Sequence, residues 1–118
     1  RSKQIDVYGG LNQLRSNLYI DDAILMMIKA TAKSSNEIYN INNHLMTTLG
    51  GIFSLISKIS KKKLIKHHSK ISGSPNIIKI LKKKILKLTK YRISTNLKKG
   101  LIKTIDWYSN LIELNKNI

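Results

Sequence analysis

The chain has no cysteine, one proline (Pro75), one tryptophan (Trp107) and six acidic residues in 118. Without cysteine, disulfide staples and thiolate metal sites are excluded, and a reducing cytoplasm is the expected location. Long apolar runs are missing too. The longest is Ala23–Ile28, too short to cross a bilayer, so no membrane partner is expected. Nothing at the start has the layout of a signal peptide. The chain opens on Arg1-Ser2-Lys3-Gln4 without an initiator Met, as a cut through a longer protein would.

What is present is a core's worth of apolar residues, 42% of the chain, enough for one small domain and too little length for two. The charge balance is lopsided, 22 Lys+Arg against 6 Asp+Glu, for a formal +16. Such an excess favours nucleic acid, an anionic membrane surface or a phosphorylated ligand. Nearly all of it is Lys, with only Arg1, Arg15 and Arg92 besides. Lys, Ile and Asn share A/T-rich codons, so genome composition supplies part of the excess. Nucleic-acid readers lean on Arg for paired contacts and on aromatics as stacking platforms. Here the aromatics are few and are not interleaved with the lysines. A small Lys-rich nucleic-acid-binding module is therefore the alternative reading, not the leading one.

Hydrophobic periodicity predicts strand, strand, helix, strand, helix, strand and two helices. Ile5–Tyr8 alternates like a strand and stops at Gly9-Gly10. A second strand is expected over Arg15–Ile20. Asp21-Asp22 then precede a helix running to about Lys33, with Asp22 as its cap. Glu37–Ile41 reads as the third strand, ended by Asn42-Asn43. Leu49, Ile52, Phe53, Ile56 and Ile59 mark an amphipathic helix capped by Thr47 or Thr48. Leu64–His67 is a brief strand, and Ser72–Pro75 a loop. Ile77, Leu81, Ile85 and Leu88 line a further helix. Leu97, Leu101, Ile105, Tyr108 and Ile112 form the stripe of the last one. The fold class is α/β, mostly helices with three or four short strands. So few strands make a poor sheet alone, and the chain reads as a piece that completes another sheet.

Four stretches, in order, resemble the extended short-chain dehydrogenases, the NAD-dependent epimerases and dehydratases that act on nucleotide sugars. Val7-Tyr8-Gly9-Gly10-Leu11-Asn12-Gln13-Leu14-Arg15 with Leu18-Tyr19-Ile20-Asp21-Asp22 is similar to their V-Y-G-D-G-x-Q-x-R-x-F-I-Y-V-D-D segment. Glu37-Ile38-Tyr39-Asn40-Ile41 resembles E-x-Y-N-I-G. Ser69-Lys70-Ile71-Ser72-Gly73-Ser74-Pro75 is similar to the S-K-P-x-G-x-P loop of the GDP-fucose synthase-like and related branches. Ser94–Tyr108 resembles the closing T-S-L-E-E-G-L-K-K-T-I-E-W-Y.

The resemblance implies that residues 1–118 are the C-terminal, substrate-binding portion of a longer enzyme of carbohydrate metabolism. Its N-terminal Rossmann domain would hold NAD or NADP, and this portion would close over a nucleotide-diphosphate sugar. Arg15 stands where the family contacts the diphosphate; a guanidinium offers phosphate a planar fork of donors. Val7 and Tyr8 stand where the nucleotide packs, and Lys70 in the loop that faces the phosphates. Relatives often dimerise, so a homodimer is an expectation.

Departures accompany the match. Leu11 stands at a turn position where the family has glycine, and it would be strained at φ > 0. Lys98-Lys99 replace two glutamates in the first turn of the last helix, opposing its dipole. Asn76–Lys83 lacks the family's Arg and Asp after the proline, so a second phosphate-binding Arg is missing from its expected place, as in a divergent or degenerate copy. The catalytic Tyr followed four residues later by Lys is absent, because Tyr8, Tyr19, Tyr39, Tyr91 and Tyr108 all lack that Lys. No glycine-rich strand–turn–helix is present to take a pyrophosphate. These 118 residues are therefore expected to bind substrate without catalysing its conversion. A metal site at His67-His68 is not favoured, since neighbouring strand residues face opposite ways. Trp107 and Tyr108 are expected to pack in a core or an interface.

Overall fold

A computed structural model describes residues 4–8, 10–33, 36–62, 65–69 and 83–114. The element order is β1 (Gln4–Tyr8), β2 (Leu14–Ser16), α1 (Ile20–Thr31), β3 (Met46–Thr48), α2 (Leu49–Ser60), β4 (Ile65–Ser69), α3 (Lys83–Thr89) and α4 (Leu97–Leu114). Among the described residues the strands form two two-stranded sheets. β1 pairs in parallel with β4, Gln4 opposite Ile65 through Tyr8 opposite Ser69. β2 pairs antiparallel with β3, Leu14 opposite Thr48 and Ser16 opposite Met46. The fold is α/β and mostly helical, as expected.

The order of element types agrees with the periodicity, but the bounds of the second strand, the start of α1 and the position of the third strand differ from it. The second strand ends at Ser16, and Ile20 already begins α1. The third strand is Met46–Thr48, whereas Glu37–Ile41 belongs to neither sheet. Its alternation is nonetheless expressed: Tyr39 and Ile41 pack toward the core while Ile38 and Asn40 are exposed. A period of two reports which side chains turn inward, and a ladder needs a partner strand as well. Of the expected helix from Ile77, residues 83–89 form α3; the part before Lys83, like Ser72–Pro75, lies outside the described residues.

The core is small. Met26, Ala30 and Ile85 are buried, flanked by half-buried Leu18, Tyr39, Ile41, Leu86, Leu88, Tyr91 and Ile93. Asp22, Met26 and Ala30 recur every four residues, so one face of α1 looks inward onto α3. Burying Met26 and Ile85 contributes about 1.5–3 kcal/mol each. At the end of α3, Thr89 Oγ1 donates to Ile85 O at 2.9 Å and accepts from Tyr91 N at 3.2 Å. Lys90 closes the helix in the left-handed region with φ 51°. Glu37 ties the 37–41 segment to α3, accepting from Tyr39 Oη at 2.9 Å and from Lys84 Nζ at 2.8 Å.

Candidate functional site

The site is built outward from a turn. Gln13 N donates to Gly10 O at 3.0 Å, closing a four-residue turn that leads into β2. Leu11, at the position where glycine was expected, is not among the described non-glycine residues with positive φ, which are Asn36, Lys61 and Lys90. The expected strain does not arise, because a turn of this kind places no demand on Leu11 that a side chain refuses.

Gln13 is the residue that sequence reasoning missed. It is 3% exposed, its carbonyl accepts from Leu49 N at 3.0 Å, and its Oε1 accepts from Arg15 Nη2. Arg15 Nη1 also donates to Leu14 O at 2.9 Å. The guanidinium is thus held along its own strand by a buried amide and a backbone carbonyl. A cation oriented this way loses less side-chain entropy when an anion arrives. The signal available in sequence was the i, i+2 spacing of Gln13 and Arg15, the parity that would put both side chains on one face were the strand to start at Gln13; in the structure Gln13 ends the turn and β2 begins at Leu14. Asn43 braces the same strand from behind: Ser16 Oγ donates to Asn43 O at 2.8 Å, and Asn43 Nδ2 to Asn17 O at 2.9 Å.

The start of α2 is committed to this turn. Leu49 N meets Gln13 O, Gly50 N meets Leu11 O at 2.9 Å, and Gly51 N meets Thr48 Oγ1 at 3.1 Å. Thr48 is therefore the cap, one of the two residues expected. A Cβ on Gly51 would come within 3.1 Å of Thr47 Cγ2, so that glycine serves close packing. These three N–H groups are all satisfied within the protein. Although a strand, two glycines and a helix follow one another here, these three N–H groups are not available to cradle a pyrophosphate.

Asp22 departs from its expected role. Tyr19 flanks the start of α1 and makes no side-chain cap. The Asp22 carboxylate, 1% exposed, instead accepts from Tyr91 Oη at 2.6 Å, Ser94 N and Ser94 Oγ at 2.9 Å, and Thr95 N at 3.0 Å. Burial works against its ionisation. The hydrogen bonds from Tyr91, Ser94 and Thr95 outweigh burial and hold its pKa well below the ordinary carboxylate range. This buried carboxylate fixes the loop that leads into α4, where Asn96 Oδ1 accepts from Lys99 N at 2.9 Å. The side-chain cap at Asn96 offsets part of the cost of Lys98 and Lys99 at that helix end.

The remaining expected site residues are distributed as follows. Val7 and Tyr8 lie on β1, opposite His68 and Ser69 of β4. Lys70, next after Ser69, lies outside the described residues. Arg15 is on the other sheet, opposite Thr47. A cavity of about 440 Å³ adjoins Thr47, lined with Asn17, Asn43, His44, Ser94, Thr95, Asn96 and Lys98 among others; it joins the β2–β3 sheet to the start of α4. Trp107 and Tyr108 are not core residues. They are 58% and 55% exposed, with ring centroids 4.8 Å apart edge to face. With Ile20, Asp21 and Lys103 they line an open cleft between α1 and α4, in which Lys103 Nζ pairs with Asp21 at 3.2 Å and lies 4.9 Å from the centre of the Tyr19 ring. No helix among the described residues is long and apolar enough to cross a membrane.

No protein-family model and no curated protein matches the chain, but solved structures do. It is 27% identical to UDP-glucuronic acid 4-epimerase from Bacillus cereus, solved with UDP-glucuronic acid and NAD, with a TM-score of 0.80. That match covers 90% of this chain and 35% of the epimerase. The chain has the fold of part of an extended short-chain dehydrogenase. UDP-glucose 4-epimerase from Thermotoga maritima matches at 21% identity and TM-score 0.80 over 92% of this chain and 36% of that one. dTDP-glucose 4,6-dehydratase from Bacillus anthracis matches at 19% identity and TM-score 0.76, over 91% and 35%. The structural neighbours are thus NAD-dependent nucleotide-sugar epimerases and dehydratases, and the chain spans about a third of their length.

Proposed function

We propose that the chain is the C-terminal, nucleotide-sugar-binding portion of an NAD(P)-dependent epimerase, dehydratase or reductase. The observation that carries this reading is the 90% coverage of the chain by an epimerase solved with its nucleotide sugar, in a fold that sets Arg15 beside a tight turn. Arg15 holds the diphosphate through paired N–H donors, with Gln13 keeping the guanidinium in place. Val7 and Tyr8 pack the nucleotide, and Lys70 faces the phosphates. A preceding Rossmann domain supplies the dinucleotide and the proton-transferring tyrosine. A dinucleotide held by that preceding domain would supply hydride transfer; the part played by this portion is to grip and orient the substrate. The chain carries a formal charge of +16, which suits a doubly charged diphosphate whichever base it bears. The GDP-fucose synthase-like branch rests on Ser69–Pro75 alone, so GDP-sugars belong among the ligands tried.

Thermal-shift titration of the parent protein with UDP-glucuronic acid, GDP-sugars and dTDP-sugars tests the reading. Stabilisation by at least one is expected, weakened about tenfold or more by Arg15→Ala. A folded protein that responds to none of them refutes it.

A further inference from the structure

The positive charge of the chain is concentrated around α3. Between residues 82 and 92 stand Lys82, Lys83, Lys84, Lys87, Lys90 and Arg92, with no acidic residue among them. The acidic groups that the fold brings to this helix are already engaged. Asp22 is buried and accepts from Tyr91, Ser94 and Thr95. Glu37 is paired with Lys84 at 2.8 Å. Those two contacts also set the direction of the helix. Tyr91, beyond the end of α3, meets the first turn of α1, while Lys84, at its start, meets the segment beyond the end of α1. The two helices therefore run antiparallel, with Ile85 and Thr89 buried between them and Leu86 and Leu88 packed toward the core. Lys84, Lys87 and Lys90 recur every three residues along the outer edge and are exposed, as is Arg92 just beyond. Among the described residues no ion pair reaches Lys87, Lys90 or Arg92.

A row of cations without countercharge is complementary to an anionic polymer. Three such polymers differ in what else they require. A bilayer takes up a basic helix through a free apolar face, and that face of α3 is in the core. A single strand is held by stacking its bases on aromatic rings. The aromatic residue of this stretch is Tyr91, which packs on the core and gives its hydroxyl to Asp22. A duplex asks for neither, because its phosphates lie outside and its bases are already stacked. Lysine suits that task as a point charge on phosphate, whereas base edges call for the paired donors of arginine.

We infer that the outer edge of α3 and the turn after it, through Lys87, Lys90 and Arg92, form a docking surface for the phosphate backbone of duplex nucleic acid, gripped without regard to sequence. The surface is separate from the proposed diphosphate site, since Arg15 lies on β2 and takes no part in it. The inference therefore goes beyond the proposed function and does not depend on it.

Fluorescence anisotropy of short labelled duplexes, one of DNA and one of RNA, titrated with the 118-residue chain at stepped salt concentrations tests it. Both duplexes bind at low salt, scrambled sequences bind equally, and log K falls against log salt with a slope of about −3 or steeper. Lys87→Gln, Lys90→Gln and Arg92→Gln in one variant make that slope shallower by about three. A control variant, Lys58→Gln, Lys61→Gln and Lys62→Gln, removes as much charge from the end of α2 and leaves the slope unchanged. All six positions are exposed, so both variants keep the melting temperature of the parent chain. No binding to either duplex at low salt would overturn the inference. Equal weakening by the two variants would do so as well, by showing that the attraction belongs to the net charge and not to this surface. Tighter binding to phosphatidylserine vesicles or to single strands than to duplex would overturn it in favour of that partner.

Discussion

Tyr91 donates its phenolic proton to Asp22 at 2.6 Å, joining the first turn of α1 to the loop before α4 across 69 residues of chain. The same carboxylate takes three further donors from Ser94 and Thr95. One buried charge thus fixes the angle between the helix that carries much of the core and the longest helix of the fold.

Asp22→Ala leaves those donors without their acceptor. The expected cost is about 3 kcal/mol or more, read from urea or thermal denaturation. Tyr91→Phe removes one bond of the set and costs about 1–2 kcal/mol.

The same site sets the response to acid. The folded-state pKa of Asp22 is lowered from its ordinary 3.8, so the stabilisation is fully present above that value. It is lost as pH falls below about 4, where the unfolded chain takes up the proton first. Denaturation midpoints measured between neutrality and pH 3 are expected to fall steeply at the acid end. Asp22→Asn is expected to flatten that limb, and an unchanged slope would exclude Asp22 as its origin.

Thr48→Ala removes the acceptor of Gly51 N at the start of α2. A loss of about 1 kcal/mol is expected from thermal melts.

Gly100 sits inside α4, where alanine ordinarily gains about 1 kcal/mol. Here a Cβ would come within 3.2 Å of Tyr19 Cδ2. Gly100→Ala is expected to show none of the usual gain, and Gly100→Val to cost about 1–2 kcal/mol, because the Tyr19 ring must move aside.

Gln13→Ala separates holding from touching at the proposed diphosphate site. It leaves the charge of Arg15 in place but removes the buried amide that orients it. Nucleotide-sugar affinity is expected to fall about three- to tenfold, less than for Arg15→Ala, with the maximal response at saturation unchanged.

Local features were legible in the sequence and non-local ones were not. The Thr48 cap and the Leu49–Ile59 stripe depend on residues within a few positions, and both lie where periodicity put them. Asp22 reads locally as a cap because a carboxylate before an apolar run usually is one. Its actual donors stand some seventy positions away, beyond any local rule. Segment 37–41 failed for the opposite reason: its alternation is real, but alternation cannot say whether a neighbouring strand is at hand. Trp107 and Tyr108 stay more than half exposed because, among the described residues, they line an open cleft and pack edge to face on each other and not in the core. At the candidate site, Arg15 was named from its chemistry and family motif, whereas Gln13, its buried support, carried no signal beyond its i, i+2 spacing.

Each sheet joins strands distant in the chain, Ser16 with Met46 and Gln4 with Ile65. Neither ladder is a hairpin, so neither can start from a tight turn. A long stretch of polypeptide has to be brought round before the first cross-strand bond forms, and its entropy is spent before any ladder enthalpy returns. Refolding is therefore expected to be paced by strand closure, with helical signal recovering ahead of it, and the β1–β4 ladder to be the last part assembled.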